Sequence, residues 1–60
     1  MRSEMEIIER IKAYEKQNEH YIKEIERIDE YSTKQLYREW IKKNLEKIDE
    51  LRWALENNYV

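Results

Sequence analysis

Apolar residues recur along this chain at alternating spacings of three and four, and no glycine or proline interrupts them. One face of an α-helix returns to the same side with this period, so the pattern predicts helix over nearly the whole chain. The first series is Ile7, Ile11, Tyr14, Asn18, Tyr21, Ile25 and Ile28, and the second is Tyr37, Ile41, Asn44, Ile48, Leu51 and Leu55. Each series therefore contains one asparagine among apolar side chains.

The two series are out of phase, which predicts two helices rather than one rod of about 90 Å. Steps of seven from Ile25 reach Ser32 and then two glutamates, so a continuous helix would carry charge into its apolar seam. Ser32 with Gln35 has the form of a capping box, and Tyr31 with Leu36 that of a hydrophobic staple. Together they predict that a second helix begins at this point.

The predicted fold is all-α: a single helical-hairpin domain over residues 1–60, with antiparallel helices at 4–30 and 33–57 and a turn at 31–32. Reversal near Tyr31 brings Asn18 level with Asn44, so that both polar interruptions share one layer. The residues predicted to form the core and fix its register are Asn18, Asn44, Ile11, Ile25, Ile41, Ile48 and Leu51.

A hairpin of this size is not expected to be stable alone, because below about 70 residues apolar burial barely offsets conformational entropy. We expect a symmetric homodimer, two hairpins forming a four-helix bundle. The asparagine layer would then fix register and oligomer state, unless its amides point sideways to water. The residues predicted to contact the dimer mate or a foreign partner are Ile8, Ile22, Trp40, Leu45, Trp53 and Tyr59.

The residue types that most enzymes and metal sites need are missing or isolated. There is no cysteine for a thiolate or a sulfur-bound metal, and no glycine for a phosphate-binding loop. His20 is the lone imidazole, and Gln17 stands where a Glu-x-x-His metal motif has its glutamate. We therefore expect no enzyme activity, no catalytic residue, no metal and no cofactor. With no membrane-length apolar run and no signal-peptide pattern, the expected location is the cytoplasm.

The charge balance argues against nucleic acid as a partner, since 12 basic side chains face 14 acidic ones for a net charge of −2. The basic residues of the second helix remain a possible docking patch for an acidic protein or a nucleic-acid backbone. They are Lys34, Arg38, Lys42, Lys43 and Lys47. The alternative is an ordinary solvated helix face, because Glu39 and Glu46 lie among them.

Ile, Lys, Asn and Tyr, which have AT-rich codons, supply 24 residues, whereas Gly, Ala, Arg and Pro, which have GC-rich codons, supply 7. This bias suggests an AT-rich genome. In size, composition and predicted architecture the chain resembles the very small phage-encoded proteins that inhibit bacterial defence or host enzymes. The resemblance implies a protein-binding regulator or inhibitor with an unknown protein target, in the cytoplasm of a low-GC bacterium. Two alternatives stay open: a nucleic-acid-binding dimer that uses the basic residues, and a structural assembly module.

Overall fold

The structure, a computed structural model, describes residues 4–57. They form two α-helices, α1 at Glu4–Arg27 and α2 at Tyr31–Glu56, which pack against each other as a hairpin. The all-α hairpin predicted from the apolar spacing is therefore confirmed. The molecule is elongated, with extents of 44 × 14 × 14 Å. Neither helix, over the described range, is both long and apolar enough to cross a membrane.

The turn lies earlier than the predicted 31–32, because α1 ends at Arg27 and α2 already begins at Tyr31. Glu30 is the N-cap of α2, with an extended backbone at φ −75° and ψ 123°. The capping box does not form: the Ser32 hydroxyl donates to Glu30 Oε1 at 2.7 Å, and Gln35 Nε2 donates to the Tyr31 hydroxyl at 2.9 Å. The predicted helix bounds 4–30 and 33–57 are corrected accordingly.

The order of the charged residues around the turn gives a physical reason why the turn comes earlier than predicted. A helix that continued to residue 30 would place Asp29 and Glu30 in its last turn, where the helix dipole is negative. Ending α1 at Arg27 instead puts a cation at that position and leaves both acids beside the positive N-terminus of α2. The N–H of Ile28 closes α1 by donating to two carbonyls, Glu24 at 3.1 Å and Ile25 at 3.3 Å.

The C-terminal end of α2 is capped by Asn57. Its backbone N–H and its side-chain Nδ2 both donate to the carbonyl of Trp53, at 3.0 and 2.8 Å. Asn57 thus ends α2 close to its predicted limit. Asn58, which the prediction paired with Asn57 as the stop, lies outside the described residues.

The hydrophobic core is small and lies towards the open end of the hairpin. Only Ile7, Ile11 and Ile48 are buried among the apolar side chains described. The partly buried side chains packed against them are Tyr14, Leu51, Ala54 and Leu55. Of the other apolar residues predicted for the core, Ile25 and Ile41 are half-buried.

Candidate protein-docking surfaces

A polar layer crosses the middle of the hairpin at Asn18 and Asn44. Asn44 Nδ2 donates to Asn18 Oδ1 and to Gln17 Oε1, both at 2.9 Å, and Asn18 Nδ2 donates to the carbonyl of Ile41 at 3.4 Å. Asn18 is buried, and no buried side-chain polar atom of the described residues lacks a partner. The two asparagines therefore lie level, and their hydrogen bonds form within one hairpin.

Between this layer and the turn, three aromatic rings pack together on one side of the hairpin. The Tyr37 and Trp40 rings meet edge to face with centroids 5.0 Å apart, and Tyr21 lies 5.5 Å from Tyr37 and 5.6 Å from Trp40. Trp40 keeps 42% of its surface exposed. We call this side, with the adjoining Lys43, the aromatic face.

The opposite side carries an apolar groove between the helices. Its rims include the side chains of Ile22 from α1 and Leu45 from α2, which are 49% and 52% exposed, and Ile41 and Ile48 also line it. Its volume is about 320 Å³, at the lower limit of small-molecule sites. We call this side the groove face.

One ion pair spans the groove face, between Arg52 Nη2 and Glu15 Oε2 at 3.3 Å. Both side chains are about half exposed. Sequence reasoning missed this pair, because spacing within a helix shows only which of its own residues share an edge. Seven residues separate Glu15 from Ile22, and seven separate Leu45 from Arg52. That spacing places charged and apolar residues on the same helix edge.

The basic residues of α2 do not form one patch. At about 100° per residue, Lys34, Arg38 and Lys42 follow the edge of α2 at the groove face, whereas Lys43 and Lys47 follow its edge at the aromatic face. Glu39 and Glu46 project between the two sets. The structure therefore separates the predicted docking patch into two groups of two or three cations.

The six residues predicted for an interface are likewise divided between surfaces. Ile22 and Leu45 lie together, and Ile8, 37% exposed, lies two heptads before Ile22 on the same edge. Trp40 belongs to the aromatic face. Trp53 projects from the outer side of α2 and is 56% exposed, while Tyr59 lies outside the described residues.

His20 lies beside Tyr21, with ring centroids 6.1 Å apart. No group of three or more potential metal ligands comes together within residues 4–57.

The chain matches no protein-family model, no curated protein and no solved structure. Exposed apolar side chains beside fixed charges can bind another protein surface, and they define the two candidate docking surfaces.

Proposed function

We propose that the protein is a small, non-catalytic regulator that acts as a homodimer of helical hairpins and inhibits a target protein by covering part of its surface. The supporting observation is the contrast between its core and its exterior. Three isoleucines are buried, while eight large apolar side chains of the described residues are 37% exposed or more. Those that lie together, such as Ile22 with Leu45, form the kind of exposed apolar surface that is typical of protein-binding sites.

The surface area supports the homodimer. The chain exposes 5114 Å², whereas a compact monomer of 7.7 kDa exposes about 4300 Å². The excess, about 800 Å², equals what each partner contributes to a standard protein–protein interface. Covering one long face of each hairpin would therefore bring the exposed area per chain to the value of a compact fold.

The aromatic face is the surface that we assign to the target. Tryptophan and tyrosine dominate binding energy at many interfaces, because they bury a large area at low entropic cost. Here the Tyr21 and Tyr37 rings both contact the Trp40 ring. Lys43 and Lys47 lie on the same edge of α2, so the matching target surface would be apolar with an acidic rim.

The biological setting is part of the proposal. The AT-rich composition and small size favour a phage-encoded inhibitor of a host or defence enzyme, acting in bacterial cytoplasm. In that setting the hairpin needs no catalytic group, since occupying the target surface is sufficient to inhibit it.

Two measurements test the function. Light scattering after gel filtration should give twice the chain mass. The tagged protein should retain one protein from a low-GC bacterial lysate, inhibit it when purified, and lose both properties with Trp40→Ala. A matched control, Lys16→Ala, changes an exposed residue on the outer side of α1 and should leave binding intact.

Other outcomes would replace this function with an alternative. Salt-sensitive retention of DNA or RNA, lost when the lysines of α2 are neutralised, would establish a nucleic-acid-binding dimer. Masses well above a dimer, without any heterologous ligand, would establish a structural assembly module.

A further inference from the structure

We propose that two copies of the chain dimerise through their groove faces, which leaves the two aromatic faces on opposite outer sides of the dimer. This inference rests on the homodimer of the proposed function and goes further, because it names the face that pairs and the number of target-binding surfaces. It applies to either two-fold way of stacking the hairpins.

The two sides of the hairpin differ in how their apolar side chains are packed. On the aromatic face, the Trp40 ring contacts the rings of Tyr21 and Tyr37, so the largest apolar groups there already cover one another. On the groove face, Ile22 and Leu45 are about half exposed and line a groove of about 320 Å³. The groove face therefore has the apolar side chains that gain most from a cover.

The charges beside the groove suit a second copy as that cover. A two-fold axis brings the same surface of both copies together, so the surface has to be complementary to itself. Glu19 of α1 and Asp49 of α2 line the groove. Seven residues before each of them, on the same helix edges, lie Lys12 and Lys42. Each edge thus has one acid and one base.

These four residues pair with opposite charges in both two-fold arrangements. Gln17 and Asn44 mark one level of the hairpin, since a 2.9 Å hydrogen bond joins them. Counting from this level gives two further level pairs, Glu19 with Lys42 and Lys12 with Asp49. An axis along the hairpin brings the members of each level pair together across the interface.

An axis across the hairpin, between these two levels, instead brings together the acid and the base of the same helix. Opposite charges therefore meet in either case, which favours association of this face with itself. The Glu15 and Arg52 charges are already paired within one hairpin, at 3.3 Å. The charges thus support the choice of face and leave the stacking direction open.

The size of the face is adequate for such a contact. Its extents of 44 by 14 Å project to about 600 Å² before side-chain relief is counted, close to the ~800 Å² per partner of a standard interface. The groove floor, which includes Ile41 and Ile48, adds to the apolar surface that is covered.

Packing through the groove face determines where the aromatic faces lie. They are on the opposite side of each hairpin, so Trp40 keeps its 42% exposure in the dimer. Two stacked layers of helices are about 20 Å thick, because neighbouring helices pack about 10 Å apart. The dimer thus presents two target-binding surfaces that point away from each other, and it can hold two target molecules at once.

Two leucines of α2 give a matched test of the face. Leu45 and Leu36 are 52% and 50% exposed, and their separation of nine residues puts them about 180° apart around the helix. Leu45→Glu buries two carboxylates in the proposed interface and should weaken dimerisation about a hundredfold. Leu36→Glu should leave the dissociation constant within about threefold of the original. Analytical ultracentrifugation measures both.

Each outcome of this test has a distinct meaning. A dimer that survives Leu45→Glu overturns the inference and leaves the homodimer intact, as does a dimer that only Leu36→Glu disrupts. An original chain that stays monomeric overturns both. Circular dichroism should show unchanged helical content, because both leucines are already half exposed in the single hairpin. If Leu45→Glu unfolds the chain, Ile22→Glu supplies the same test from the other rim.

Charge reversal tests the groove edges independently. Glu19→Lys should weaken dimerisation about tenfold at low salt in either stacking, because it sets cation against cation in two symmetry-related contacts. Glu39→Lys makes the same change in net charge on the outer side of α2 and should have less than about a threefold effect. Equal effects of the two variants would make net charge the cause and overturn the inference.

Fluorescence quenching tests the position of the aromatic faces in the dimer. With Trp53→Tyr, Trp40 is the one tryptophan left in the chain. Acrylamide should quench its fluorescence in the dimer, as expected for a side chain that stays 42% exposed. A dimer in which acrylamide does not reach Trp40 would have the aromatic faces inside the interface, and the inference would fail.

Discussion

Asn44 donates a 2.9 Å hydrogen bond to the Oδ1 of Asn18, 26 residues earlier in the chain. Asn18 is the one buried polar residue of the described part, and its own amide reaches the carbonyl of Ile41. A shift of either helix by one turn would separate these groups and leave a buried amide without a partner. The pair therefore opposes other registers more than it adds to stability.

Replacing both asparagines with leucine tests this role. We expect Asn18→Leu/Asn44→Leu to melt at a higher temperature than the original chain, because apolar burial replaces a desolvated amide pair. We also expect it to form a mixture of oligomers by light scattering, since nothing polar then fixes the layer. Asn18→Ala alone should cost about 1–3 kcal/mol. A double variant that is less stable and keeps a single oligomer would contradict the register role.

Ile48 is the most buried residue of the core, with 3% of its surface exposed. Ile48→Ala should cost about 2–5 kcal/mol, from lost transfer energy and the cavity left behind. That is a large fraction of what so small a domain can have. Urea unfolding followed by circular dichroism measures the change. Lys47→Ala, at the exposed neighbouring position, should stay within about 0.5 kcal/mol of the original.

The Glu15–Arg52 pair should contribute modestly to the free energy of unfolding, and its contribution should fall as salt is added. Arg52→Ala is expected to destabilise the protein by less than about 1 kcal/mol at low ionic strength, because both side chains are half exposed. Near 1 M salt the difference should disappear, since charges are then screened within about 3 Å. Urea unfolding at the two salt concentrations measures this, with Arg10→Ala as a control that removes the same charge from the other edge of α1. An unchanged effect in high salt would assign Arg52 a packing role instead.

The turn gives a prediction opposite to the one that its sequence suggests. Ser32→Ala should change the unfolding free energy by less than about 0.5 kcal/mol, because the hydroxyl caps no backbone N–H. Replacing a serine that does cap a helix by alanine lowers the unfolding free energy by about 1 kcal/mol. Reversing the charges of Asp29 and Glu30 to lysine should cost more, about 0.3–1 kcal/mol for each, through the helix dipole. If Ser32→Ala lowers the unfolding free energy more than the charge reversals do, Ser32 caps α2 and the capping-box prediction is right.

The apolar spacing was sufficient to predict the two helices, because periodicity depends only on residue type and position. The level contact of Asn18 with Asn44 needed a second assumption, a reversal of the chain near Tyr31. The position of the turn was less predictable, because two local signals compete there. Ser32 with Gln35 favours a helix start at 33, whereas Arg27 followed by two acids favours a start at 31, and the structure follows the second.

The division of the surface into faces needed the packed hairpin. Spacing on one helix cannot show that Arg52 reaches Glu15, because this depends on the offset between the helices. Helix geometry could have separated Lys42 from Lys43, since adjacent residues point about 100° apart. What covers each face depends on a second molecule and cannot be derived from one chain's periodicity.

The aromatic rings and the buried isoleucines anchor opposite ends of the hairpin, with the polar layer between them. Tyr21 and Tyr37 close a short stretch of chain, so this contact costs the least loop entropy and is the natural place for folding to begin. The isoleucine contacts close a much longer stretch, so their loop entropy cost is smaller once the helices are already aligned. Fraying that starts at the chain ends must therefore break the isoleucine cluster first, while the aromatic end keeps the helices together and allows them to close again.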